Sequence, residues 1–270
     1  MIKKIKNFNL RTIANSGECF RINEVEENVF NIQSTDKFLR IKYLGNDRFD
    51  FDCSEKEYKF YEHYFDLTTD YSVFKRICKK NDTFLKKCID YSIGLKILNQ
   101  DIFETIISFI ISQRKSVKAI MTSIERLCKA GGKRIKNKYG EFYTFPTAKD
   151  ILNIGHSKLS ACGLGYREKY ILDFCESIVH KNIDLKSYNN LSDVELIDEL
   201  MKINGVGIKV ASCIALFAYH RLSICPKDVW INRVLDKKYK GKIPRAYEKY
   251  AGIIQQYWFN YTRLNQSAVI

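Results

Sequence analysis

The stretch from Ser192 to Tyr219 constrains the fold more than any other. Ser192 and Glu195 form an S-x-x-E capping box, and Leu191 can staple to Leu196 across it. Leu196, Leu200 and Ile203 share one helical face. A Gly205-Val206-Gly207 turn follows, and then a second apolar run of Val210, Ala211, Cys213, Ile214, Leu216, Phe217 and Ala218. The spacing predicts a helix over 192–203, a turn at 204–207 and a helix over 208–219, a helix-hairpin-helix. Gly205 and Gly207 would let the backbone approach a phosphate, with the first amides of the second helix aimed at it. An ordinary αα-hairpin fits the same spacing. Lys209 sits near the head of the apolar run. It can snorkel to solvent, touch phosphate, or act as a nucleophile, since a partly desolvated amine loses its proton more readily.

Elsewhere the pattern changes along the chain. The first hundred residues read mostly as strands: 38–43 and 48–52 alternate apolar with charged residues around a Gly45-Asn46 turn, and 28–32 is a third strand. One polar face implies a half-buried antiparallel sheet. From Asp101 the period is helical, at Ile102, Phe103, Ile106, Ile107 and Ile110, at Ile120, Ile124 and Leu127, and again over 151–159 and 170–178. The expectation is an α+β chain: an N-terminal antiparallel sheet domain over 1–98, packed on a mostly helical body over 99–270.

The partner is suggested by charge. The net charge is +14, and nine basic residues lie between Ile111 and Gly140 against one acid, Glu125. A clustered excess favours a phosphate-binding face over diffuse solubility charge. The nine cysteines include no C-x-x-C pair, and with four histidines no zinc or iron–sulfur site is expected. Free thiols point to a reducing cytoplasm. The start lacks the apolar stretch of a secretory signal, and no apolar run is long enough to span a bilayer.

Nineteen residues after Lys209, "CPKDVWINRVL" (225–235) places Asp228 at the head of a further helical run, where a plain N-cap is the ordinary role. The glycine hairpin, Lys209 and Asp228 together resemble the helix-hairpin-helix DNA glycosylases, and within them the 8-oxoguanine DNA glycosylases, in a bacterial branch. The resemblance extends over most of the chain. It implies that Lys209 attacks C1′ of the damaged nucleotide and that Asp228 assists. "NSGECF" (15–20) is similar to the family's "SGQSF", whose glycine carbonyl accepts the N7–H that distinguishes 8-oxoguanine, a role for Gly17. Cys213 would lie against one face of the flipped base and Phe259 against the other. Gln255, in "YAGIIQQYWFN" (250–260), would read the Watson–Crick edge. "GLGYREKY" (163–170) matches "GLGYRARY", so Tyr166 would wedge into the duplex with Arg167 beside it on the DNA. Gly205, Val206 and Gly207 would hold the backbone, and Arg114 would plug the opened helix.

Two departures qualify the match. "SFIISQRKSVKAI" (108–120) parallels "SFICSSNNNIARI", but Arg114 and Ala119 stand where the family has the Asn and Arg that attend the opposite cytosine, so weak dependence on the opposite base is expected. Trp230 stands where the family commonly has His. The expected reaction is release of 8-oxoguanine from duplex DNA through a lysine Schiff base, then β-elimination, by a cytoplasmic, nucleoid-associated monomer with no metal or cofactor. A helix-hairpin-helix glycosylase for another damaged base is the near alternative, and a non-catalytic DNA-binding protein the distant one. An endonuclease III-like enzyme is disfavoured, since no cysteine follows Asp228.

Overall fold

The computed structural model describes residues 1–180 and 183–265. Strands β1 (Ile2–Lys4), β2 (Ile22–Glu26), β3 (Val29–Ser34), β4 (Lys37–Tyr43) and β5 (Arg48–Phe51) form one antiparallel sheet in the order β1-β5-β4-β3-β2. The alternation behind it is direct: Leu39, Ile41, Phe49 and Phe51 are buried while Arg48 and Lys42 stay out. Ile41 pairs with Phe51 across the β4–β5 hairpin, whose turn runs through Gly45, Asn46 and Asp47, all at positive φ.

The sheet content ends earlier than the sequence pattern suggests. After a short α1 (Leu10–Ala14) and the strands, residues 55–91 are helical: α2 (Glu55–Tyr64), α3 (Ser72–Ile77) and α4 (Thr83–Tyr91). The start of α2 carries a legible signal, the Ser54-x-x-Glu57 capping box, which forms in both directions. Its aromatic spacing explains the rest. Tyr58, Tyr61 and Tyr64 lie three apart and pack the inner face of the sheet with Phe65 and Leu98.

The second core is helical. It contains α5 (Ile102–Ser112), α6 (Val117–Gly131), α7 (Ala148–Leu152), α8 (His156–Ser160), α9 (Arg167–Val179), α10 (Asp193–Met201), α11 (Ile208–Phe217), α12 (Val229–Tyr239) and α13 (Ala251–Leu264). The helical pattern over 151–159 is split in two at Gly155, which takes φ +82 between α7 and α8. Both α3 and α4 pack into this core through Phe74, Leu85 and Cys88, so it draws on residues either side of position 98. The largely buried α5, with seven apolar residues among its eleven, runs through its centre against α6, α9 and α11. No helix among the described residues is long and apolar enough to cross a membrane.

The basic segment does not form a single phosphate face. Its second half is a hairpin, β6 (Arg134–Asn137) with β7 (Gly140–Tyr143). There Arg134 and Lys136 pair with Glu141, Lys138 pairs with Asp52 at 2.9 Å, and Phe142 packs on Phe38 of the sheet. Lys129 pairs with Glu125 on α6. Lys138–Asp52 and Phe142–Phe38 bind the hairpin to the N-terminal part of the chain, and among the described residues Arg114, Lys115, Lys118, Arg126 and Lys133 have no carboxylate partner.

Candidate active site

The capping box of α10 forms as its residues require, Ser192 and Glu195 each accepting from the other's backbone amide. Gly205 then takes φ +81, and a Cβ there would strike the Tyr170 ring at 2.3 Å, so both conformation and space demand glycine. Gly207, the N-cap of α11, has an ordinary φ of −90 and offers no side chain to the helix end. The first-turn amides of α11 are therefore left for an outside acceptor. The middle of the turn faces inward: Val206 is buried in the core and its amide donates to the Ile203 carbonyl.

Two loops converge beside this turn. Gln113 Nε2 donates to the Gly205 carbonyl at 3.1 Å, which holds the α5–α6 loop carrying Arg114 against the hairpin. Arg114 is exposed at φ +53. Tyr166 is 51% exposed, an unusual setting for a large aromatic, and its ring meets Tyr170 edge-on at 5.9 Å. Arg167 corrects the sequence expectation. It is buried, its guanidinium donates to the carbonyls of Leu164 and Gln113, and it lies 4.3 Å from the Tyr166 ring. With its donors turned inward it braces Tyr166 and the Arg114 loop and does not reach for phosphate.

Behind this face lies a small pocket of about 50 Å³. Lys209 and Cys213 reach it from α11, one turn apart, and Asp228 from the head of α12. Gln255 and Phe259 come from α13, and Ser16 and Gly17 from the loop after α1. Six predicted residues from four distant segments thus border one cavity: Gly17, Lys209, Cys213, Asp228, Gln255 and Phe259. Asp228 accepts from the Ile231 amide at 2.9 Å, so the N-cap role is real whatever else the carboxylate does. Burial pushes the Cys213 thiol up, the nearby Lys209 ammonium opposing it.

Lys209 itself departs from the expectation of partial desolvation. It is exposed in the free protein, with its Nζ 5.9 Å from the Phe109 ring centroid. Every residue of α11 from Val210 to Phe217 is buried, and Lys209, the second residue of the helix, stands just before that run at the open helix start. Pocket residues that the sequence reading passed over are Phe109, Phe217, Pro226 and Gln256. Phe109 and Phe217 stack at 5.4 Å and form the floor. Phe217 had a signal, since it lies four residues after Cys213 on the same helical face.

The Gly17 backbone is held on both sides. Gly17 takes φ +79, and a Cβ there would touch the Phe259 ring at 3.4 Å. No described residue donates a backbone hydrogen bond to its carbonyl oxygen. The next residue, Glu18, is wholly buried, accepting from the Leu98 amide at 3.3 Å, with Oε1 unpartnered. Burial pushes its carboxyl well above the ordinary range, with the Leu98 amide opposing and Asp66 adding to the rise. The folded chain therefore keeps a proton that the unfolded chain has lost. The associated stability is present below the usual carboxylate pKa and is lost as pH rises through the folded value. Glu18→Gln is expected to melt on the order of 3 °C higher than the unsubstituted protein at pH 8, about 1 kcal/mol for a chain of this size, and equally at pH 4. Melting curves across that range check it, and parallel curves would contradict the protonated form.

A helix-hairpin-helix body that brings a lysine and an aspartate to one pocket, joined to an N-terminal antiparallel sheet, is the architecture of the helix-hairpin-helix base excision DNA repair proteins. Residues 107–257 match the HhH-GPD superfamily base excision DNA repair protein model, and residues 1–106 match the 8-oxoguanine DNA glycosylase N-terminal domain. The structure of MBOgg1 in complex with a low-affinity DNA ligand superposes with a TM-score of 0.90 at 33% identity, covering 98% of this chain and 96% of that one. The Clostridium acetobutylicum 8-oxoguanine glycosylase/lyase, solved with DNA carrying cytosine opposite 8-oxoguanine, gives 0.91 at 30% identity over 98% and 95%. A probable N-glycosylase/DNA lyase of Methanothermobacter thermautotrophicus is 29% identical over 75% of this chain and 73% of its own. The chain belongs to the HhH-GPD superfamily of base excision DNA repair proteins, in the branch that carries the 8-oxoguanine glycosylase N-terminal domain.

Proposed function

We propose that this protein, acting as a monomer on duplex DNA, flips out 8-oxoguanine, releases it through a covalent Lys209 intermediate and then cuts the strand by β-elimination. The observation that carries the reading is the single pocket shared by Gly17, Lys209, Cys213, Asp228, Gln255 and Phe259. Extrusion of the base costs a few kcal/mol. Tyr166 and Arg114 hold the gap, and the α11 amides and the remaining cations hold the backbone. The pocket has room for one or two waters, so a purine enters only when the Phe259 ring leaves its place beside Gly17. Cys213 and Phe259 then cover the two faces of the base, and Gln255 reads its Watson–Crick edge.

Discrimination from guanine rests on the Gly17 carbonyl. It accepts the N7–H of the oxidised base, whereas N7 of guanine would oppose it with a lone pair. An unsatisfied buried polar group costs about 1–3 kcal/mol, a factor of roughly ten to a hundred. Lys209 is open to water in the free protein, and DNA over the mouth of the pocket would exclude that water from its nitrogen. Its nitrogen bonds to C1′ as the base departs with the glycosidic electron pair. Asp228 stabilises the charge that develops on the sugar. The sugar then opens at C1′–O4′, O4′ taking up the proton that the nitrogen gives up, and the imine so formed loses a 2′ proton as the 3′ phosphate leaves with the C3′–O electron pair.

Ala119 is half-buried on the first turn of α6 and has no group with which to read an opposite base. End-labelled duplexes bearing one 8-oxoguanine opposite C, A, G or T test both points together. Strand cuts without alkali are expected on all four, at rates within about tenfold, since Ala119 offers no bidentate contact to cytosine. A product seen only after alkali would remove the lyase step, and a steep preference for cytosine would refute the relaxed pairing.

A further inference from the structure

On α13, residues Gly252, Gln255, Gln256 and Phe259 are spaced i, i+3, i+4 and i+7 and form one stripe. Both ends of the stripe have known neighbours. A Cβ on Gly252 would strike Leu216 Cδ1 of α11 at 2.5 Å and the Ile224 carbonyl at 2.6 Å, and Phe259 rests against Gly17. The stripe therefore faces the pocket, and Gln256 lines it beside Gln255. The two glutamines are only 3–4% exposed, and neither Oε1 has a hydrogen-bond partner among the described residues. Buried oxygens without partners are rare in proteins, because an apolar side chain of the same shape would be more stable there. Two of them side by side on one cavity wall point to a ligand that brings donors.

This inference rests on the pocket reading given above. The Watson–Crick edge of 8-oxoguanine presents three groups in a row: the O6 acceptor, the N1–H donor and the 2-amino donor. One carboxamide has one oxygen and one NH2, so Gln255 can pair with two adjacent groups, donating to O6 and accepting from N1–H. In a dry pocket the 2-amino group would then lack an acceptor. We propose that the Gln256 Oε1 is that acceptor, which makes Gln256 a second specificity-determining residue for the expelled base.

Gln256→Met, of similar volume, and Gln256→Ala test this on three duplexes, carrying 8-oxoguanine, 8-oxohypoxanthine (which lacks the 2-amino group) or a preformed abasic site. The quantity read is single-turnover base release divided by cleavage of the abasic duplex. For 8-oxoguanine this ratio is expected to fall roughly ten- to a hundredfold in both variants. For 8-oxohypoxanthine the substitutions should add less than about threefold, since the contact is already missing. Gln256→Met should also melt no lower than the unsubstituted protein, a pairing of stability and lost activity that a packing role would not give. Equal losses on both bases, or no loss on 8-oxoguanine, would overturn the assignment of Gln256. If the unsubstituted protein released no 8-oxoguanine, the pocket reading itself would fall, and this inference with it.

Discussion

In the Lys209→Gln protein, borohydride trapping on a duplex carrying 8-oxoguanine is expected to vanish while binding to that duplex remains. Borohydride reduces an imine between the enzyme and the opened sugar, and only an amine bonded to C1′ can supply one. Glutamine keeps a long polar side chain and has no nucleophilic nitrogen. Base release should drop by at least about a thousandfold, roughly 4 kcal/mol of barrier. The exposure of Lys209 makes the variant informative. An exposed side chain at a helix start leaves no cavity when exchanged, so stability should change by less than about 0.5 kcal/mol. Loss of one cation should lower affinity modestly and reduce the salt dependence by about one unit of slope. Trapping that survived in this variant would remove Lys209 from the chemistry.

Asp228 has two roles that two substitutions separate. Its side chain caps α12 through the Ile231 amide, and in the proposed reaction its charge faces the sugar. Asparagine caps a helix about as well as aspartate but carries no charge. Asp228→Asn is therefore expected to melt with the unsubstituted protein and to release base about a hundredfold more slowly, the usual scale for losing one preorganised electrostatic partner. Asp228→Ala should lose the same activity and about 1 kcal/mol of stability as well. Melting curves and single-turnover rates on both variants check this. If Asp228→Asn kept full activity, the residue would be a cap and nothing more.

Much of this architecture is legible in local patterns. The alternation at 38–43 and 48–52 yields strands because a two-residue period needs only one buried face, and the hairpin around Gly205 forms because its capping box, staple and glycines agree with one another. The reading failed where a local signal was outweighed or overlooked. Residues 55–91 turned out helical, with a capping box at Ser54 that stands in the sequence as plainly as the one at Ser192. Charge counting overstated the unpaired cations for a different reason. Formal charge says nothing of partners, and Glu141 and Asp52 absorb three of the cations assigned to phosphate.

By itself, the sequence determined the element types and the presence of a hairpin with a lysine at the head of its second helix. Capping, periodicity and turn chemistry act over a few residues, and those interactions are written in order along the chain. The tertiary structure alone decided which side chains face the same space. It left Lys209 in water, turned Arg167 inward to brace Tyr166, and set Gln256 beside Gln255 with its oxygen unpaired. Each of these depends on how α5, α9, α11 and α13 approach one another, and close packing among segments far apart in the sequence sets those distances.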